Sequence, residues 1–245
     1  MNTNGNTYTI IYTTVIVVVV AGILAAAASF LKPAQQANIK AETISQMLQA
    51  AQFDTRGMNN VQKLDKYAQE IGQAFTVGAD GNKIADLSVD RKNIELIDGL
   101  KAQNYALAGK GGYELALPVY ILKNGVTIIP CYGAGLWGPV WGYIAVEPDG
   151  ATIKGAYFDH DSETAGLGAR IKDDPAFRAQ FAGKKIAWDE EPPFAIVKGG
   201  APEGAGNAID AITGATMTSK GLDAAINNWL AAYKPYFTNL NKEEE

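Results

Sequence analysis

The 245-residue chain contains one cysteine, Cys131, and one histidine, His160. One cysteine cannot close an intramolecular disulfide, and the two residues together cannot supply a zinc site built from Cys and His ligands. Nor does His160 pair with a convincing serine or cysteine nucleophile and an orienting acid, which argues against ordinary hydrolase chemistry. Cys131 reads as a small buried hydrophobe and His160 as a polar surface or turn residue. Positive charge is also scarce: 21 Lys and Arg against 26 Asp and Glu give a formal net charge of -5, with no dense basic stripe. A nucleic-acid footprint needs clustered cations to neutralise phosphates, so no nucleic-acid partner is expected. P-loop and Rossmann fingerprints are absent, as is any internal repeat.

Charge of either sign is missing from "YTIIYTTVIVVVVAGILAAAASFL", Tyr8 to Leu31. As a helix this stretch spans roughly 36 Å, enough to cross the roughly 30 Å of a bilayer's hydrocarbon once. A cleaved signal peptide would be shorter in its apolar part and would carry a positively charged leading region, so the segment reads as an uncleaved anchor. Its β-branched run, Val15 to Val20, is no obstacle, because in lipid a helix is the single-segment solution that satisfies the backbone internally. Lys32 and Lys40 follow the span, and a strict positive-inside count would put the large domain in the cytoplasm; two lysines are a small bias.

Beyond Pro33, Ile44, Met47, Leu48 and Ala51 fall at helical spacing and predict a juxtamembrane helix. Asn59 followed by Gln62 predicts the cap of a second helix with the stripe Val61, Leu64, Ala68, Ile71 and Phe75. Residues 78–112 read as a loop-rich connection, with "AGKGG" its most flexible part. From Tyr113 the pattern turns to strands. "YELALPVYIL" alternates, with Pro118 suggesting an edge position, and Asn124-Gly125 is a strong hairpin signal. A second pair of strand-like runs flanks Pro148-Asp149-Gly150. "DDPAFRAQFAG" predicts a short helix, while "KKIAWDE" and "PFAIVKGG" are further strand candidates. A final helix carries Leu222, Ala225, Ile226, Trp229 and Tyr233 on one face and is expected to stop at Pro235. Hairpins with helices segregated around them predict an α+β domain behind a single N-terminal transmembrane helix. The expected divisions are an N-terminal segment and anchor over 1–33, a helical and loop-rich region over 34–112, a principal domain over 113–237 and a charged tail over 238–245.

Three stretches stand out chemically. "DAITGATMTS", Asp210 to Ser219, gathers Thr213, Thr216, Thr218 and Ser219 around Gly214-Ala215 just ahead of the final helix, where Thr218 or Ser219 would act as cap. Free backbone amides at a helix N-terminus attract anions, and a phosphate fits; a simple capped turn fits the spacing as well. "ETAGLGAR", Glu163 to Arg170, brackets Leu167 with Gly166 and Gly168. It could hold an apolar side chain against a flat partner, or form a plain surface turn. "GAGLWGPVWGY" sets Trp137, Trp141 and Tyr143 among glycines, as core packing or as a docking surface or cofactor wall.

In this order, behind a membrane anchor, "GAGLWGPVWGYIAVEPDG", "ETAGLGARI" and "DAITGATMTS" resemble the FMN-binding domain family, in particular the C subunits of bacterial sodium-translocating NADH:quinone oxidoreductases. The G subunits of the related Rnf complex belong to the same family, and the "GxGLW" stretch favours the sodium-pump branch. The resemblance covers the anchor and about Tyr113 to Tyr233. It implies FMN joined by a phosphoester to the last threonine of an S/T-G-A-T motif led by an acidic residue, here Asp210, Thr213, Gly214, Ala215 and Thr216, so that Thr216 is the attachment site. Met217, Thr218 and Ser219 would then cradle the phosphate. The loop of Glu163, Thr164, Gly166, Leu167 and Gly168 would lie against the isoalloxazine. The family usually has proline where this chain has Ala165, which bears on the stiffness of that turn.

The resemblance further implies an electron-carrier subunit of a multi-subunit complex passing electrons from NADH toward quinone. Its partners would be the other subunits, membrane lipid around the helix and a periplasmic flavin transferase for maturation. It would sit in the bacterial inner membrane, single-pass, with the soluble domain on the outer side. No residue is expected to act as a catalytic acid or base, because the flavin carries the redox chemistry. The competing class is a non-redox, membrane-anchored interaction domain using the aromatic and glycine-rich surface.

Overall fold

The computed structural model describes residues 5–97, 99–110 and 112–243. Gly111 of the glycine stretch and the last two residues of the charged tail lie outside the described residues. Two compact units are present, Met1–Glu42 and Thr43–Glu245.

Helix α1 (Asn6–Ala50) begins in the first unit. Its apolar part is exposed along its length and is long and apolar enough to cross a membrane. The expectation of two helices divided at Pro33 is corrected, since the helix runs on through this proline. Strong helix formers on either side, Leu31 and Lys32 before it and Ala34, Gln35, Gln36 and Ala37 after it, offset the single lost hydrogen bond.

The second unit is built on α2 (Asn60–Glu70), β1 (Ile71–Val77), β2 (Lys83–Asp86), α3 (Leu100–Leu107), β3 (Leu117–Leu122), β4 (Thr127–Ala134), β5 (Pro139–Val146) and β6 (Ile153–His160). After these come α4 (Arg170–Asp173), α5 (Pro175–Ala179), β7 (Ala195–Val197), β8 (Ala208–Asp210) and α6 (Thr216–Glu243). Strands β1 to β6 form one antiparallel sheet in the order β2-β1-β3-β4-β5-β6, and β7 and β8 pair in parallel as a separate ribbon. The architecture is α+β, with hairpins at Asn124-Gly125 and Pro148-Asp149-Gly150. Gly125 (φ 87°) and Gly150 (φ 68°) take the left-handed positions there.

Successive side chains on a strand face opposite ways, and here both faces are covered. Ile129, Cys131 and Ile144 join Leu222, Ala225, Ile226, Trp229 and Tyr233 of α6 in one core. Ile128, Tyr143 and Ala145 join Ile44, Met47 and Leu48 from the end of α1, with Tyr67 of α2, in the other. Trp229 is buried, and its indole N–H donates to the Tyr132 carbonyl at 2.9 Å. Truncating such a residue to alanine costs about 3–5 kcal/mol.

Several local expectations are corrected. The Asn59 and Gln62 capping box forms, but α2 ends at Glu70, and Ile71 and Phe75 lie in β1, paired with Leu122 and Val119 of β3. Residues 78–112 contain β2 and α3. Strand β3 starts at Leu117 and is interior, yet holds Pro118. The β3–β4 ladder covers only Tyr120 and Ile121, so Pro118 lies beyond it on that side and its missing N–H breaks no bond there. Lys184–Glu190 forms no strand, only an isolated bridge between Lys185 and Thr152. Finally, α6 continues through Pro235. Beyond it, Phe237 stacks on Trp188 at 4.9 Å and Tyr236 meets Phe75 edge-on at 6.0 Å. Burial of two such rings, at about 1.5–3 kcal/mol each, offsets the roughly 3 kcal/mol cost of the proline.

Candidate functional site

Ala215 N–H closes a turn on the Ile212 carbonyl at 3.1 Å, with Gly214 in a left-handed conformation (φ 85°) that a β-carbon would disfavour. Helix α6 starts at Thr216, and its first main-chain bond runs from Ser219 N–H to the Ala215 carbonyl at 2.9 Å. The expected capping role of Thr218 or Ser219 is therefore corrected, since both sit inside the first turn. Both are buried. The Ser219 hydroxyl oxygen accepts from Ile212 N–H at 3.2 Å, and the Thr218 hydroxyl donates to Glu163 Oε2 at 2.6 Å. Thr216 is half-buried and Thr213 exposed. The opening N–H groups of a helix lack intrahelical acceptors, so this turn offers an anion amides, with the positive end of a long helix behind them.

The Glu163 loop comes against this turn. Leu167 N–H bonds the Thr164 carbonyl at 3.1 Å, with Gly166 in third place at φ 74°. That is the pattern of a turn whose second position favours but does not require proline, so Ala165 is accommodated. Leu167 is 43% exposed, and a β-carbon on Gly214 would lie 3.1 Å from its Cδ2. The third stretch joins through Glu163 Oε1, which accepts from Trp137 N–H at 2.9 Å, while Ser162 Oγ donates to the Trp137 carbonyl at 3.0 Å. Its aromatics divide: Tyr143 is core, Trp141 is half-buried with its indole N–H on Gln46 Oε1 at 3.3 Å, and Trp137 is 66% exposed. Leu136, Trp137, Leu167 and Met217 leave apolar surface open around the start of α6.

Residues given no site role from sequence complete the site. His160 Nδ1 accepts from Glu163 N–H at 3.2 Å, which puts the proton of a neutral ring on Nε2. Gly133 and Gly221 give α6 its close approach to β4: a β-carbon on Gly133 would lie 2.6 Å from that of Ala225. Glycine density was the available signal, but it did not say which glycines meet a helix. Asp210, the acidic residue that leads the threonine motif, uses Oδ1 to accept from Ala201 N–H at 2.7 Å. Burial pushes the Cys131 thiol up to about 12, so it is no nucleophile near neutrality.

The residues fit a flavin phosphate on these grounds: opening amides of α6 without intrahelical acceptors, a partly exposed hydroxyl at its first residue, and exposed apolar side chains beside it. The FMN-binding domain profile matches residues 135–231, which take in the Glu163 and Thr216 stretches whole and the aromatic stretch from Gly135 onward. This defines the class of domain. Among relatives, the C subunit of the Na(+)-translocating NADH-quinone reductase of Vibrio campbellii is 33% identical over 227 residues, covering 85% of this chain and 84% of that protein. Its counterpart in Vibrio alginolyticus is 29% identical and covers 91% of this chain and 90% of its own. The crystal structure of the C subunit from Parabacteroides distasonis is 33% identical with a TM-score of 0.70, covering 85% of this chain and 97% of that one. That of Shewanella oneidensis NqrC is 27% identical, with a TM-score of 0.66 and coverage of 82% and 97%. The chain belongs to the family of C subunits of Na(+)-translocating NADH-quinone reductases.

Proposed function

We infer that this chain is the electron-carrier subunit of a sodium-translocating NADH:quinone oxidoreductase and carries FMN covalently on Thr216. One observation carries the attachment site: of the threonines and serine in the first turn of α6, only Thr216 keeps its side chain partly open, while Thr218 and Ser219 are buried and bonded inward. Thr216 Oγ1 would form its bond to the flavin-bearing phosphorus of a flavin dinucleotide delivered by a transferase. The pyrophosphate bond breaks, a nucleoside monophosphate leaves, and the hydroxyl proton passes to the transferase or water. Bound FMN supplies the redox chemistry. The amides of Met217 and its neighbours would hold the phosphate charge, Leu167 and Trp137 would offer apolar walls to the ring, and Gly166 and Gly168 would let the loop approach it closely.

In this reading the anchor spans 1–33, a flanking region 34–112, the FMN domain 113–237 and a tail 238–245. The apolar part of α1 anchors the protein in the inner membrane, in contact with lipid. With no ionisable residue between Tyr8 and Leu31 other than its tyrosines, this helix offers no ion path of its own, so sodium movement belongs to partner subunits. The soluble domain faces outward, because long domains translocate against a two-lysine bias. Protease added to intact spheroplasts then digests it; protection would reverse the orientation.

The open apolar surface around Leu136 and Trp137 also suits a non-redox interaction domain. The visible spectrum separates the two readings. Produced alongside an active flavin transferase, the full-length protein is expected to be yellow, with a fluorescent band that survives a denaturing gel. A colourless product under those conditions leaves the interaction domain.

A further inference from the structure

Glu163 is buried, and its carboxylate is spent entirely inside the protein. Oε1 accepts from Trp137 N–H at 2.9 Å, and Oε2 accepts from the Thr218 hydroxyl at 2.6 Å, a distance typical of hydroxyl-to-carboxylate bonds. Two glycines close over it. A β-carbon on Gly135 would lie 2.4 Å from Oε1, and one on Gly168 would lie 2.4 Å from Oε2 and 2.6 Å from Thr218 Oγ1. A side chain at either glycine would displace the carboxylate. Glu163 thus ties the Trp137 loop, its own loop and the first turn of α6 to one another, each oxygen being held by one of these bonds.

The consequence follows from helix geometry. Consecutive residues turn by about 100°, so Thr216 and Thr218 point roughly 160° apart. A bond that draws Thr218 inward turns Thr216 outward, just after the Gly214 turn against which Leu167 Cδ2 lies, 3.1 Å from where a β-carbon on Gly214 would stand. We propose that Glu163 and Thr218 form a positioning clasp that presents Thr216 as the flavin acceptor and sets the attached ring against the Leu167 loop. The clasp rests on the flavin reading above. Glu163 is a positioning residue: it touches neither the flavin nor the phosphate, and acts through Thr218 and the Trp137 main chain.

The test uses full-length protein in membranes, produced with an active flavin transferase. Four quantities are read: melting temperature, rate of covalent labelling, the labelled residue by peptide mass spectrometry, and the flavin absorption spectrum. Glu163→Gln keeps both links, its carbonyl oxygen facing Trp137 N–H and its amide donating to Thr218 Oγ1, and is expected to label on Thr216 like the wild type. Thr218→Ser keeps the hydroxyl and is expected to do the same. Glu163→Ala and Thr218→Val, while still folded, are expected to label about tenfold more slowly, since misplacement of a reacting group is costly in rate, and to show a shifted flavin spectrum. The double variant is expected to be no worse than Glu163→Ala, because the bond that Thr218→Val removes is already broken in Glu163→Ala.

Wild-type rate and spectrum in folded Glu163→Ala and Thr218→Val would reduce the clasp to a fold contact and overturn the proposal. So would a Glu163→Gln protein as impaired as Glu163→Ala. If Glu163→Ala fails to fold, Thr218→Val decides, because valine keeps the branched shape and leaves the Trp137 bond intact. A wild-type protein that never labels refutes the flavin reading and takes the clasp with it, an outcome distinct from normal labelling in every variant.

Discussion

A β-carbon on Gly221, in the second turn of α6, would stand 2.2 Å from the carbonyl oxygen of Ala134 at the end of β4. The helix rests backbone to backbone on the strand, and its N-terminal turn is positioned by that contact. Alanine gains about 1 kcal/mol over glycine in a helix interior, yet overpacking against a main-chain atom that cannot yield costs typically 1–3 kcal/mol, occasionally more. The clash wins here. Gly221→Ala is expected to lose about 2 kcal/mol, which for a chain of this size lowers Tm by about 4–8 °C, and to label poorly with flavin. A melting temperature at or above wild type would mean that the helix sits farther from β4.

Thr216→Val tests the acceptor directly. Valine keeps the β-branched shape, and loss of one half-buried loop hydroxyl costs on the order of 1 kcal/mol, so the variant is expected to melt within a few degrees of wild type. It is expected to carry no flavin through a denaturing gel. Thr213→Val, altered at an exposed position ahead of the turn, is expected to keep the band. A band that survives Thr216→Val and disappears in Thr213→Val would move the attachment to Thr213.

Leu167 is the apolar side chain nearest the Gly214 turn, and it is partly exposed. Leu167→Asp removes little core packing, so the fold should hold, while a charge beside the ring alters the flavin's electronic surroundings. The expected result is a labelled protein with a changed absorption spectrum and a lower midpoint potential, since negative charge disfavours electron uptake. An unchanged potential would place the 163–168 loop away from the ring.

What could be read in advance was local. Asn59 with Gln62, Asn124-Gly125, and the stripe from Leu222 to Tyr233 each announce a turn or a face within a few residues, and each formed. Ile71 and Phe75 suit a helical stripe equally well, and only pairing with β3, more than 40 residues later, makes them a strand. The end of α6 failed for a related reason: Pro235 carries a local stop signal, whereas Trp188 and Phe75, which hold Phe237 and Tyr236 beyond it, arrive from distant segments. At the site, the threonines and the Glu163 loop were visible as motifs. The division of labour among the hydroxyls was not, because it depends on burial created by three loops meeting at Glu163.

The interior also sets a limit at high pH. Burial pushes the Cys131 thiol up from 9.0 to about 12 and the Tyr236 phenol from 10.0 to about 12, and it raises Tyr67 and Tyr233 as well. Each group is neutral when protonated, so the folded chain holds protons that the unfolded chain releases. The stabilisation is complete below the unfolded values and is lost as pH climbs from 9.0 through about 12. Each such group contributes a slope of at most about 1.4 kcal/mol per pH unit, so several titrating together destabilise the fold steeply. Denaturant melts are expected to show no contribution from these groups between neutrality and about pH 9, and a steep fall above about pH 10. Cys131→Ala removes the earliest of them and is expected to delay the onset by about one pH unit, at the cost of a smaller side chain at that site. In the wild type, the thiol is expected to resist disulfide reagents near neutrality until denaturant is added. A thiol that reacts readily in the folded protein, or stability that stays level to about pH 11, would show that this core opens to water far more often than its packing implies.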